Sequence, residues 1–169
     1  MRRTMVQYAL ENEISRAHRL LGEGQPGQAA TLFSQLAAGI DGRGRPRQAG
    51  NLHAKAAHAF IESGDARQTL EQARLVLGIF TRFGMLPRAA QFKARIVQHL
   101  REKGMTEEAD IFEKETDLPA VPFQAADRSR ARLPADCPKC GAPVRSDEVE
   151  WIDATSAECG YCGVTLQTT

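Results

Sequence analysis

Apolar residues recur at intervals of three and four from residue 4 to residue 116. One set is Val6, Leu10, Ile14, Ala17, Leu20 and Leu21, and the next is Leu32, Phe33, Leu36, Ala37 and Ile40. This spacing lines one face of an α-helix. Polar, Gly and Pro breaks cut the stretch into six predicted helices. Gly22 to Gly27 ends the first and Asp41 to Pro46 the second. Ser63-Gly64-Asp65 ends the third, Phe83-Gly84 the fourth, and Gly104 the fifth. Asp65 is placed to cap the fourth helix and Thr106 the sixth, since each has an oxygen for an unpaired first-turn N–H. Pro87 suits the first turn of the fifth helix, where its missing N–H has no cost. Glu107 and Glu108 fall at the positive end of the sixth.

The breaks are periodic. Gly24, Gly64 and Gly104 lie 40 residues apart, as do Leu20, Phe60 and Leu100, and Ala17, Ala57 and Val97. Small residues Ala29, Thr69 and Ala109 follow each Gly by five. Three helix pairs in one register predict an α-solenoid, with a non-solenoid helical bundle as the alternative. The strings Gly64-Asp65-Ala66-Arg67-Gln68-Thr69-Leu70-Glu71-Gln72-Ala73 and Gly104-Met105-Thr106-Glu107-Glu108-Ala109-Asp110-Ile111-Phe112 resemble the turn and second helix of tetratricopeptide (TPR) repeats. The resemblance covers residues 6 to 115. The period is longer than the roughly 34 residues of that family, and the Trp and Tyr of its first repeat helix are absent. It implies a concave groove, lined by residues 6 to 21, 48 to 62 and 88 to 102, that holds a peptide or partner domain. Asn12, Arg16, Arg19, Asn51, Lys55, Gln91, Lys93 and Arg95 are the side chains there that would face a partner. The same residues also suit the solvated face of amphipathic helices.

The helical period stops at residue 116. Residues 116 to 136 hold three Pro and read as a linker. Leu118, Val121 and Phe123 are expected to dock on the last helix. Beyond it, Glu148 to Asp153 alternates, with Val149 and Trp151 on one face, and Val164-Thr165-Leu166 offers another strand. The predicted organisation is a helical domain at 1–116, a linker at 117–136 and a small β module at 137–169.

That module contains every cysteine of the chain: Cys137-Pro138-Lys139-Cys140-Gly141 and Cys159-Gly160-Tyr161-Cys162-Gly163. Two CxxC pairs separated by 18 residues have the spacing of a four-thiolate zinc site. Two disulfides or two free dithiols are the alternatives. Four thiolates fill a tetrahedron, so zinc here would be structural. The 33 residues from Cys137 to Thr169 are too few to bury an independent core, and metal binding would supply the missing folding energy. The segment resembles the zinc-ribbon family, whose two CPxCG-like knuckles hold one Zn2+ between β-hairpins. The first knuckle matches fully, whereas the second has Gly160 in place of Pro.

Composition narrows the function classes. The 169 residues are 42% hydrophobic and 25% charged, with a net charge of +1, so no global field attracts nucleic acid or an acidic membrane. No apolar run approaches the length of a membrane span. The basic start lacks a signal-peptide core, and reduced thiolates suit a cytoplasmic location. Arg43, Arg45 and Arg47 form one basic cluster and Arg128, Arg130 and Arg132 another; each is able to meet phosphate. Against this, Asp147, Glu148, Glu150, Asp153 and Glu158 between the knuckles outnumber Arg145 and would repel it. His18 and His58 lie one repeat apart and read as structural equivalents. No HExxH, nucleophile elbow or phosphate loop is present, so the chain is not expected to be an enzyme.

The expectation is a non-catalytic adaptor whose two modules grip different proteins, raising effective concentration. Trp151, with Pro143, Val144 and Val164, is the candidate anchor on the ribbon; Trp151 equally suits the cover of a small core. One alternative is an E3-like, reduced RING-type accessory of a prokaryotic ubiquitin-like conjugation system, docking a conjugating enzyme through the metal module. The other is a nucleic-acid-associated regulator.

Overall fold

The computed structural model describes residues 5–118, 132–146 and 149–169. Val121, Phe123, Arg128, Arg130, Asp147 and Glu148 lie outside the described residues. The chain is mainly helical. The helices are α1 (Met5–Gly22), α2 (Pro26–Ile40), α3 (Pro46–Ser63), α4 (Ala66–Arg82), α5 (Leu86–Glu102) and α6 (Thr106–Glu115). Among the described residues no helix is long and apolar enough to cross a membrane.

Local chemistry accounts for the helix ends. Proline occupies the first turn of α2, α3 and α5. Asp65 caps α4 by accepting the Gln68 N–H at 3.0 Å. Thr106 does not cap α6, contrary to expectation. It is the first helical residue, Met105 holds the cap position, and no side-chain capping bond forms. Glu107 and Glu108 do occupy the first turn of α6.

The forty-residue period is visible in the backbone. Gly24, Gly64 and Gly104 have φ of 75°, 80° and 78°, a left-handed conformation that glycine adopts without Cβ strain. Each is followed by an N–H that returns to a carbonyl five residues earlier: Gln25 to Leu20 (2.9 Å), Asp65 to Phe60 (2.9 Å) and Met105 to Leu100 (2.9 Å). This bond satisfies a helix-terminal carbonyl and reverses the chain. Ala17, Ala57 and Val97 are buried, as are Ala29, Thr69 and Ala109.

Each helix packs on the next in sequence, and α3 also touches α5 while α4 touches α6. Phe33, Leu52, Ile61, Val76, Ile96, Leu100 and Phe112 are among the core side chains. The α3–α4 contact is close because Gly50 has no side chain. A Cβ there would lie 2.2 Å from Cε1 of Phe80. Leu118 packs on the same core, as expected from its place after α6.

The C-terminal segment forms a three-stranded antiparallel sheet in the order β1 (Glu150–Trp151), β2 (Ser156–Glu158), β3 (Thr165–Gln167). Trp151 pairs with Ala157, and Ala157 with Leu166. β1 is shorter than the alternating run, because the chain turns at Asp153. Its carboxylate accepts the N–H groups of Thr155 and Ser156, both at 2.8 Å, and the Ser156 hydroxyl at 2.6 Å. The Ser156 hydroxyl and the Thr155 amide hold that carboxyl down to about 2. Val164 precedes β3, since its carbonyl is taken by the Cys159 N–H.

Residues 132 to 136, expected as linker, pair with this segment. Arg132 accepts the Thr169 N–H at 2.9 Å, Ala135 accepts the Val144 N–H at 2.8 Å, and Asp136 bridges to Pro143. The four cysteines, Ala142 and Leu166 belong to one buried cluster with the helical core.

Candidate metal centre and groove

The two CxxC pairs fold into matching knuckles. Gly141 N–H donates to the Cys137 carbonyl (2.9 Å) and Gly163 N–H to the Cys159 carbonyl (3.0 Å). Cys137 N–H then donates to Ala142 and Cys159 N–H to Val164, each at 2.8 Å. Gly141 and Gly163 turn the chain with φ of 67° and 74°. All four thiols are buried. Cys137 and Cys162 Sγ are 3.8 Å apart, as are Cys140 and Cys159 Sγ, and the four ligand atoms lie within 4.8 Å of one another.

These separations identify the chemistry. A disulfide needs sulfurs at about 2.05 Å, so none is formed. A tetrahedral ion with bonds of about 2.3 Å sets its sulfurs about 3.8 Å apart. The cluster can therefore hold one metal ion. Within the cluster the Cys137 thiol is pushed down by hydrogen bonds from Cys140, Cys159 and Cys162, and the Cys140 thiol is pushed up by its bond to Cys137. A bound divalent cation would deprotonate all four.

The second knuckle is seated on the helices. Gln7 of α1 donates its side-chain amide to the Cys162 carbonyl (2.8 Å), and Asn51 of α3 donates to the Gly160 carbonyl (2.7 Å). Gln48 of α3 donates to Glu158 at 3.1 Å. Gly163 approaches so closely that a Cβ would fall 2.6 Å from Gln48 Nε2. His18 lies edge-on to Phe33 at 5.0 Å and to Tyr161 at 5.9 Å between ring centroids. Burial, then the Lys55 charge, lowers its pKa to about 4.

Beside this contact is a cavity of about 560 Å³. Asn51, Lys55, Gln91 and Arg95, four of the predicted groove residues, line it. Lys93 turns away to the Thr116 carbonyl. Asn12, Arg16 and Arg19 are exposed on α1 outside this cavity, Arg16 pairing with Glu13 at 3.3 Å. Pro143 lies on the cavity wall. Val144 and Val164 are half-buried against the core, and half-buried Trp151 donates its indole N–H to the Ser146 carbonyl at 3.2 Å. Arg45 is tied to Gln7 at 2.9 Å.

Sequence reasoning missed Arg88, Arg145, Tyr161 and the pairing of His58 with His99 as cavity residues. The histidines carried a usable signal: they are 41 residues apart, almost one forty-residue period, and lie on α3 and α5. Their Nδ1 atoms are 2.7 Å apart, and His99 Nε2 is 2.7 Å from the Glu62 carboxylate. A carboxylate only accepts, so His99 carries its proton on Nε2. Of the two facing Nδ1 atoms, one donates and the other accepts. Burial, then His99, Lys55 and Arg95, lowers the His58 pKa to about 3. His58 and His18 are thus alike in being held neutral, but their ring partners differ.

No protein-family model matches this chain, and no curated protein or solved structure matches it significantly.

Proposed function

We propose that the chain is a non-catalytic protein-interaction adaptor, a TPR-like helical array carrying a zinc ribbon with one structural Zn2+. The observation that carries this reading is the closed tetrathiolate. Four buried sulfurs within 4.8 Å of one another would fill a tetrahedral ion's shell and leave no ligand position for water or substrate, and the knuckle that holds two of them is bound to α1 and α3. Such a site stiffens a surface rather than performing chemistry. Zinc is favoured over iron for a ribbon because it adds no redox activity, although both accept four thiolates.

The recurring turns after α1, α3 and α5, and the contacts of α3 with α5 and α4 with α6, support stacked helix pairs. In this reading the chain's own knuckle fills part of the groove, so partners meet the outer faces. On the sheet side these are Trp151 and Ile152, the latter 58% exposed. On the helical side they are Asn12 and Arg16. Reduced thiolates fit a cytoplasmic setting.

A nuclease-treated pull-down tests the reading, comparing intact bait with Cys137→Ser/Cys140→Ser bait by mass spectrometry. The adaptor predicts discrete proteins, some dependent on the metal module. A conjugating enzyme among them selects the E3-like function. Loss of every interaction after nuclease treatment contradicts the adaptor and favours nucleic-acid association.

A further inference from the structure

Charge is missing from the outer side of α2. The helix has no charged residue along its 15 positions, although Gln28, Thr31, Gln35, Ala38 and Gly39 are exposed. A surface helix ordinarily turns charged residues to solvent, as α4 does with Arg67, Glu71 and Arg74. Depletion of charge marks the centre of a protein interface. Met5 and Val6 at the start of α1 are 91% and 62% exposed, and adjoining exposed apolar side chains point the same way.

Between α1 and α2 runs a groove of about 390 Å³. Val6, Ala9, Leu10, Leu36, Gly39 and Ile40 give it an apolar lining. Leu10 and Leu36 are packed on the helical core beneath. The charges of the groove are segregated. The turn after α2 brings Arg43 and Arg45 to the start of α1, where Arg45 donates to Gln7 at 2.9 Å. Glu13 lines the groove further along α1, about 9 Å from Gln7 at 1.5 Å per residue.

We propose that this groove is the contact face of a symmetric homodimer, occupied by α1 of a second copy. A two-fold contact must be self-complementary. A face basic at one end and acidic at the other meets that condition when the two α1 helices run antiparallel, because Glu13 then lies beside the partner's Arg43 and Arg45. A parallel pair would set arginine against arginine. The midpoint of Val6 and Glu13 falls between Ala9 and Leu10, so one axis there serves both ends. Ala9 and Gly39 are small and exposed, which lets the two backbones approach, and Met5 and Val6 cover the apolar lining opposite. Arg45 keeps further guanidinium donors beyond the one used by Gln7. Of the two Glu13 oxygens, Oε2 accepts from Arg16 at 3.3 Å. The inference goes beyond the adaptor reading and does not rest on it, since a dimer carries two metal modules whatever they bind.

The test is sedimentation velocity of the full chain supplied with zinc, from submicromolar to high micromolar concentration. Expected is twice the 18.5 kDa mass of the chain at high concentration, falling toward one chain on dilution. Ala9→Glu places a charge at the apolar crossing and should weaken the dimer about tenfold or more. Glu13→Arg should also weaken it, through like-charge contact, and adding Arg43→Glu should recover part of that loss. Helical circular dichroism checks that each variant is folded. A monomer at every concentration overturns the proposal. So does a dimer that Ala9→Glu and Glu13→Arg leave intact, because its contact would lie on another face. A double variant no tighter than Glu13→Arg alone overturns the antiparallel pairing and the proposal with it. A monomer whose folding stability falls on Ala9→Glu overturns it in favour of a segment of the same chain in the groove.

Discussion

Asn51 on α3 donates its side-chain amide to the carbonyl of Gly160 in the second knuckle, over 2.7 Å and 109 residues of sequence. Its amide oxygen accepts from Arg88 of α5 at 3.1 Å. One side chain thus ties two helices to the cysteine cluster. Asn51→Ala leaves the Gly160 carbonyl and the Arg88 donor without this partner. The expected loss is about 1–3 kcal/mol, read from urea unfolding, with the metal content of the native protein unchanged. A loss in the range of ordinary surface substitutions, within about 0.5 kcal/mol, would show that the contact carries little.

Cys159→Ser removes one of the four clustered thiols. Elemental analysis of the wild type should give one zinc per chain, and the variant should fall clearly below one. Iron in place of zinc would correct the metal and keep the site. Unchanged stoichiometry in the variant would place the ion elsewhere.

His58 predicts acid sensitivity. Its folded pKa is lowered to about 3, below the unfolded value near 6.5. Between those values the unfolded chain binds a proton that the folded chain refuses. The stabilisation is therefore complete above about pH 6.5 and declines as pH falls toward 3, by up to about 1.4 kcal/mol per pH unit for this group. In His58→Gln the slope of stability against pH from 6.5 to 5.5 should be shallower by about 1 kcal/mol per pH unit, since the unfolded imidazole is only partly protonated across that window. Equal slopes would mean that His58 protonates freely in the fold.

Gly50→Ala gives a diagnostic sign. In an exposed helix interior, Ala is more favourable than Gly by about 1 kcal/mol. Here the added methyl would sit 2.2 Å from Cε1 of Phe80 and must push the ring or α4 away. Overpacking of this kind costs about 1–3 kcal/mol. A lowered thermal midpoint is expected, and a raised one would contradict the close α3–α4 contact.

Much of the architecture was legible in the chain. The three-and-four spacing and the recurring glycines place the helices, because both report local geometry. The cysteine spacing exposed the four-thiol cluster for the same reason. Other features were hidden. Ser156-Ala157-Glu158 shows no strand alternation; pairing with Leu166 and Trp151 makes it a strand. The Met105 cap defeated a propensity rule that favours Thr106. Gln7, Gln48 and Asn51 read as polar helix positions, and no local pattern distinguishes an amide meeting water from one meeting a distant carbonyl. Asn51, Lys55, Gln91 and Arg95 line one cavity, and the chain's own knuckle beside them was not foreseen.

That contact changes one expectation. The absence of cysteine from the helices suggests that metal removal would spare them. The burial of all four cysteines in one cluster with helical residues, and the amide bonds from Gln7 and Asn51, would instead couple an ion held there to helical stability. The decisive measurement is thermal unfolding followed at 222 nm, before and after chelation of the bound ion. The account predicts a lower midpoint of the helical transition in the metal-free protein, restored by adding zinc. Superimposable helical transitions with and without metal would contradict it.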